Sequence, residues 1–319
     1  MNRLTPMLPL ALSTLACTPP PPAPQGLDES ARYMVREFFS DDPTFQAGVQ
    51  GFMAWYQTEG KDLTGIAADV ENSGAFTVGD LVPDDVASLP LDTEIAVQMD
   101  GDTPVLGTRD VTTAAGTVSI AEMECSVKEA EALLSRADQQ NVFPLDWEGY
   151  TRTYNNDPDT YTAGWDAGFE KIDDVITPYD GAFSFDTYPN TLLFTDNIID
   201  PTAVLTANIE AYPMDLVFRH GVFEVDGQET EATMVLTFTR AAAWGSNGAN
   251  GLIQSFSSEI NIATEDGRTI RMLTVWAEPR GIDPDSALAT TFAVNKARAS
   301  SDCMSKLCSG EITDAKDCN

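Results

Sequence analysis

Between residues 27 and 60 the apolar positions repeat at helical spacing; from about residue 75 onward they alternate. Ala31, Met34, Val35, Phe38 and Phe39 fall at i, i+3, i+4, i+7 and i+8, the stripe of a helix that buries one face. Phe45, Val49, Phe52, Met53 and Tyr56 repeat the pattern. Asp28 is expected to cap the first helix. Asp42 followed by Pro43 predicts the start of the second, because proline suits a first turn whose N–H groups have no helical partner. Gly60 is expected to end it. The short join predicts an antiparallel αα-hairpin, its aromatic stripes serving as core.

The alternating region is punctuated by Asp-Gly at 100–101, 180–181, 226–227 and 266–267. Three of these pairs lie between apolar or alternating runs, a hairpin signal. Around Asp226 the sets Leu216, Phe218, His220, Val222 and Ala232, Met234, Leu236, Phe238 alternate on the two arms. A two-residue turn opposes each apolar set to polar residues, whereas a three-residue loop through Gln228 aligns the apolar sets. Since a one-residue slip exposes a whole face, the apolar match decides: a three-residue loop is expected, with His220 opposite Met234 and Gly227 or Gln228 left-handed. Phe218, His220, Met234 and Leu236 then form one inward cluster and are the ligand-binding candidates. His220 is the only histidine, and without an evident nucleophile or orienting acid it is expected to be structural.

Two more helices interrupt the strands. Ser126-Val-Lys-Glu129 is a capping box, with Val127, Ala130, Leu134 and Ala137 on one side. Asp283-Pro284 predicts the start of a long helix running to Gly310, with Leu288, Phe292, Ala299, Cys303 and Leu307 on one face. The fold class is α+β: an N-terminal αα-hairpin, a large antiparallel sheet and a long C-terminal helix. The order across 117–308 (strand, short helix, several strands, closing helix) is similar to that of START-like helix-grip domains. That resemblance implies a curved sheet around a C-terminal helix, with a hydrophobic ligand cavity between them.

The N-terminus bears on location. One basic residue, a short apolar run and Ser13-Thr14-Leu15-Ala16-Cys17 resemble the signal and lipobox of bacterial lipoprotein precursors, with Thr14 where the motif favours leucine. The resemblance implies cleavage before Cys17 and lipidation of its thiol. Thr18–Gly26 is a proline run that should form an extended polyproline tether. The expected organisation is a leader over 1–16, the lipidated cysteine and tether over 17–26, a helical hairpin region over 27–75, a β-rich domain with its closing helix over 76–310, and a tail over 311–319. The implied location is the cell envelope, anchored at the outer membrane on its periplasmic or surface face.

Five cysteines are an odd number, and setting Cys17 aside leaves Cys125, Cys303, Cys308 and Cys318, expected to form two disulfides in an oxidising compartment. Cys303 and Cys308 lie too far apart along a helix to bond each other. Cys308 with Cys318, and Cys125 with Cys303, is the preferred pairing of the three. Zinc is disfavoured, since there is no CxxC pair.

The charge of −32, from 18 basic and 50 acidic residues, would repel nucleic acid and anionic headgroups. Asn155, Asp157, Asp159 and Asp166 approach calcium-loop spacing, but Thr160 stands where that loop needs glycine. Trp244–Gly251 is glycine-rich yet joins two strand patterns, unlike a phosphate cradle, which opens a helix. No cofactor, metal or catalytic residue is expected. The expected role is a non-enzymatic binding or interaction module, its partners the membrane through the anchor and an apolar small molecule or envelope protein. A hydrolase using carboxylates is the alternative, and the oligomeric state is left open.

Overall fold

The computed structural model describes residues 22–60, 77–143, 147–155, 158–171, 185, 189–201, 209–281 and 287–318. The leader, Cys17, Asp180-Gly181 and Asp283-Pro284 lie outside these residues.

Two helices open the fold, α1 (Gly26–Arg36) and α2 (Asp42–Trp55). The cap of α2 is Asp41 and not Asp42: its carboxylate accepts the Thr44 N–H at 3.1 Å. Asp42 is thereby left to pair with Arg219 at 2.9 Å. The helix continues into a π-turn at Tyr56–Gly60.

The strands are β1 (Thr77–Val78), β2 (Glu94–Asp100), β3 (Thr103–Thr108), β4 (Ala115–Met123), β5 (Trp147–Asn155), β6 (Leu192–Pro201), β7 (Tyr212–Val225), β8 (Gln228–Phe238), β9 (Ala243–Trp244), β10 (Gly251–Ala263) and β11 (Thr269–Arg280). β2 and β3 form a separate hairpin; the others make one antiparallel sheet in the order β1-β4-β11-β10-β8-β7-β6-β5, with β9 beside β10. Because β11 returns beside β4 while β5 lies at the far edge, the link from β4 to β5 must cross a face of the sheet. It does so through α3 (Val127–Leu134), opened by the Ser126/Glu129 capping box. α4 (Thr162–Asp166) follows β5. The closing helix α5 (Ala287–Ser309) packs on β4.

Helices cover both faces of the sheet. On the first, α1 and α2 meet Val118, Phe194, Val217, Leu236, Phe256 and Met272 in one continuous core. Gly116 is needed there: a Cβ would lie 2.6 Å from the Trp276 indole nitrogen, which donates to the Gly79 carbonyl at 3.0 Å. On the second face α3 and Met304 of α5 meet Met123, Leu193, Met214, Leu216, Phe218 and Val235.

This two-sided burial overturns the expected hairpin register. Val225 pairs with Gln228, so Asp226-Gly227 is a two-residue turn, and His220 lies opposite Thr233, not Met234. Both turn residues have positive φ, 52° and 79°, the backbone that fits the right-handed twist of paired strands. Met214 to Arg219 are buried without interruption, so neither alternating set had to face water and apolar matching could not select the register. Phe218 and His220 consequently sit on the second face, while Met234 and Leu236 sit on the first.

The disulfides form, but in another pairing from the one preferred: Cys125 with Cys308 and Cys303 with Cys318. Cys303 and Cys308 are five residues apart on α5 and point to different sides, since each residue turns the helix by about 100°. Gly310, with φ 73°, reverses the chain after α5, and Ile312 N–H donates back to the Lys306 carbonyl. The tail thus runs back along the helix and reaches Cys303, while Cys308 faces the end of β4 and meets Cys125.

Candidate ligand cavity on the second face

Beneath α3 and α5 the second face is incompletely filled, leaving a cavity of about 230 Å³. Its sheet wall is built by alternation: Tyr212, Met214 and Leu216 of β7, Val235 and Thr237 of β8, Ser255, Ser257 and Glu259 of β10, and Arg271, Leu273 and Val275 of β11. Leu134 of α3, then Gln139, Phe143 and Trp147, close one side, and Ser300 of α5 closes another. The volume is below the roughly 300–1,000 Å³ of drug-sized sites, so it suits a small molecule.

The two ends differ in chemistry. Toward β5 the wall is aromatic and apolar. There Arg152 is buried without a carboxylate partner among the described residues. Its guanidinium donates to Asn197 Oδ1 (2.8 Å), to the Leu134 and Arg136 carbonyls and to the Tyr150 hydroxyl, and it lies over the Phe218 and Tyr150 rings. Burial raises the Tyr150 pKa, partly offset by Arg152. Burial, with Tyr150 adding, pushes the Tyr212 phenol up to about 12. Both phenols therefore stay neutral at ordinary pH.

Toward β11 the wall is polar. Arg271 donates through Nε and Nη2 to both oxygens of Glu259 at 2.9 Å, and through Nη1 to the Ser300 and Ser301 hydroxyls at 2.8 Å. Asn261 Nδ2 also donates to Glu259 at 3.1 Å. The ion pair is buried, mutually neutralising and bidentate, the geometry in which such a pair tolerates its desolvation. Thr237, Ser255 and Ser257 form a patch beside it, Thr237 lying directly across from Ser257.

None of the four ligand candidates lines this cavity. Phe218 lies beyond Leu216 on the same strand face, in the packed core. His220 is held farther along: Nδ1 lies 3.1 Å from Glu131 Oε2 and 2.9 Å from Thr233 Oγ1, Nε2 lies 3.3 Å from Glu231 Oε1, and the ring stacks on Phe185. Thr233 is fully buried, so the Thr–His–Glu proximity is closed to a substrate. Met234 and Leu236 belong to the opposite core. The cavity residues that sequence reasoning missed carry only a faint signal, serines and a glutamate alternating with Phe256 and Ile260 on β10. No protein-family model matches the chain, and no curated protein matches it.

Proposed function

We propose that the protein is a lipid-anchored binding module of the bacterial cell envelope that holds a small, largely apolar ligand between its sheet and closing helix. The cavity carries this reading: its walls are mainly apolar side chains, with most of the polar groups, Gln139 apart, gathered at one end, as in sites that orient a small molecule. The strand–helix–strands–helix order is that of the helix-grip resemblance, in which the ligand lies in the same place. Two disulfides suit an oxidising envelope. The lipobox-like ending and proline tether support attachment through Cys17, and the acidic surface disfavours nucleic-acid partners.

A carboxylate hydrolase would need two acids facing substrate. Among the described residues lining the cavity there is one, Glu259, and Arg271 and Asn261 already engage it.

Mass spectrometry of a solvent extract tests the ligand. Protein purified from a bacterial envelope should release one apolar species in near-stoichiometric amount, and folded protein that releases none and takes up no apolar probe would contradict the proposal. The anchor is tested separately. The chain expressed with its own leader should fractionate with membranes and carry acyl mass on Cys17, and Cys17→Ser should release it or leave uncleaved precursor. A wholly soluble wild-type product with a free Cys17 thiol would contradict anchoring.

A further inference from the structure

The geometry points to a ligand with an uncharged, hydroxyl- or carbonyl-bearing head and an apolar tail, its head on the Thr237/Ser255/Ser257 patch and its tail toward Trp147 and Tyr150. This rests on the cavity being a ligand site and concerns which chemical class it selects.

Three observations carry the inference. Thr237, Ser255 and Ser257 face the cavity, and among the described residues their hydroxyls make no side-chain hydrogen bond. The three side chains are only half-buried, so their hydroxyls stay open to the cavity, and a hydroxyl, able both to donate and to accept, complements an alcohol or carbonyl. The charges beside them are already spent. Arg271 is neutralised by Glu259 and bonded to Ser300 and Ser301, so it offers no unmatched positive charge to a carboxylate. Glu259 accepts three hydrogen bonds and offers little to an ammonium. Among the described lining residues no other side chain is charged. Arg152, the cation behind the aromatic end, does not line the cavity and makes four hydrogen bonds to neutral groups, so a fatty acid anion or alkyl amine seated on the hydroxyl patch would lose its hydration without gaining a counter-ion there, the costly case. The wall opposite is apolar and aromatic: Leu134, Phe143, Trp147 and Tyr150. Sheet order puts β5, which carries the last two, at the edge and the hydroxyls on β8 and β10, so head and tail have separate ends.

The test uses three probes with one tail: 8-bromooctan-1-ol, 8-bromooctanoate and 8-bromooctylammonium, titrated into delipidated protein at pH 7. The bromine quenches tryptophan fluorescence, and Trp147→Phe identifies the part of the signal that comes from the cavity. The alcohol should bind about 100-fold or more tighter than either ion, since each ion must be desolvated unpaired. Ser257→Ala and Thr237→Val should each weaken the alcohol about 3- to 10-fold, the loss of one hydrogen bond, with binding of a bromoalkane of equal length unchanged. Equal affinity for all three heads, tighter binding of an ion, or indifference to both substitutions overturns the neutral-head inference and leaves the cavity as a site. Failure of every probe, the bromoalkane included, to quench Trp147 in folded protein overturns the site itself.

Discussion

The two faces of the sheet solve the same packing problem differently. On the first, α1, α2 and the turns that end them supply Phe38, Phe45, Phe52 and Tyr56, all nearly inaccessible, and the core is continuous from Ala31 to Trp276. A deeply buried cation there, Arg219, serves the fold: it lies over Phe45, donates to the Phe38 and Ser40 carbonyls and pairs with Asp42, holding the turn between the helices on the sheet. On the second face the covering is a short helix, one end of a long one and two disulfides, and a cavity remains. Packing alone closes the first face; on the second, two disulfides add to the packing and hold a cover that leaves open space beneath it.

The largest effect should come from cutting the clamp. Cys125–Cys308 spans 183 residues and Cys303–Cys318 spans 15. In the chain-entropy model these closures contribute about 5 and about 3 kcal/mol. Urea unfolding of the Cys125→Ser/Cys308→Ser double variant should show the greater loss, and hydrogen exchange should rise in α5 and α3 before α1 and α2. Uniform exchange across both faces would mean that the bridge is not what holds the second lid.

Next, one substitution made on each face sharpens the contrast. Leu236→Ala on the first face should cost about 4–5 kcal/mol, the upper part of the range for a rigid core. Leu273→Ala at the cavity wall should cost about 2–3 kcal/mol, since its side chain already borders open space. Equal losses in denaturant titrations would erase the distinction.

Alkaline pH gives a smaller effect. Tyr212, held to about 12 in the fold, ionises near 10 when unfolded. The folded chain keeps its proton over that interval while the unfolded chain loses it, so Tyr212's contribution is intact below pH 10 and is lost as pH rises toward 12. The loss should be about 2–3 kcal/mol, at about 1.4 kcal/mol per pKa unit. Stability measured against pH should fall less steeply over this window in Tyr212→Phe. The smallest effect is expected at His220, whose removal takes one partner from Thr233, Glu131 and Glu231 but leaves Thr233 bonded to Glu131, at a cost of about 1–2 kcal/mol. Ligand affinity per folded molecule should not change, because the ring is outside the cavity.

Local chemistry made the elements legible. The helix stripes, the Ser126 capping box, the Asp-Gly hairpins at 100, 226 and 266, and the long closing helix all follow from short-range patterns, and all are present. What failed depended on contacts between distant elements. The β7–β8 register was inferred from one-sided burial, yet the sheet is buried on both sides, and Asp226-Gly227 turn chemistry was the better guide. The cysteine pairing turned on how the tail reverses at Gly310. The cavity was hidden because distant segments assemble it: Ser255, Ser257 and Glu259 of β10 meet α5, with Ser300 and Ser301, only through the long-range fold. The expectation of a ligand between sheet and last helix came from element order, while the residues chosen for it came from the mistaken register.

Filling the cavity tests the central claim most directly. Val275 faces the space from β11, and Val275→Phe should occupy it with little change in melting temperature, whereas the same exchange at Val217 in the close-packed first face should cost about 1–3 kcal/mol. The measurement is Trp147 quenching by 8-bromooctan-1-ol in the Val275→Phe variant. The account predicts that quenching is abolished while the fold stays as stable as wild type; undiminished quenching in the filled variant would contradict it.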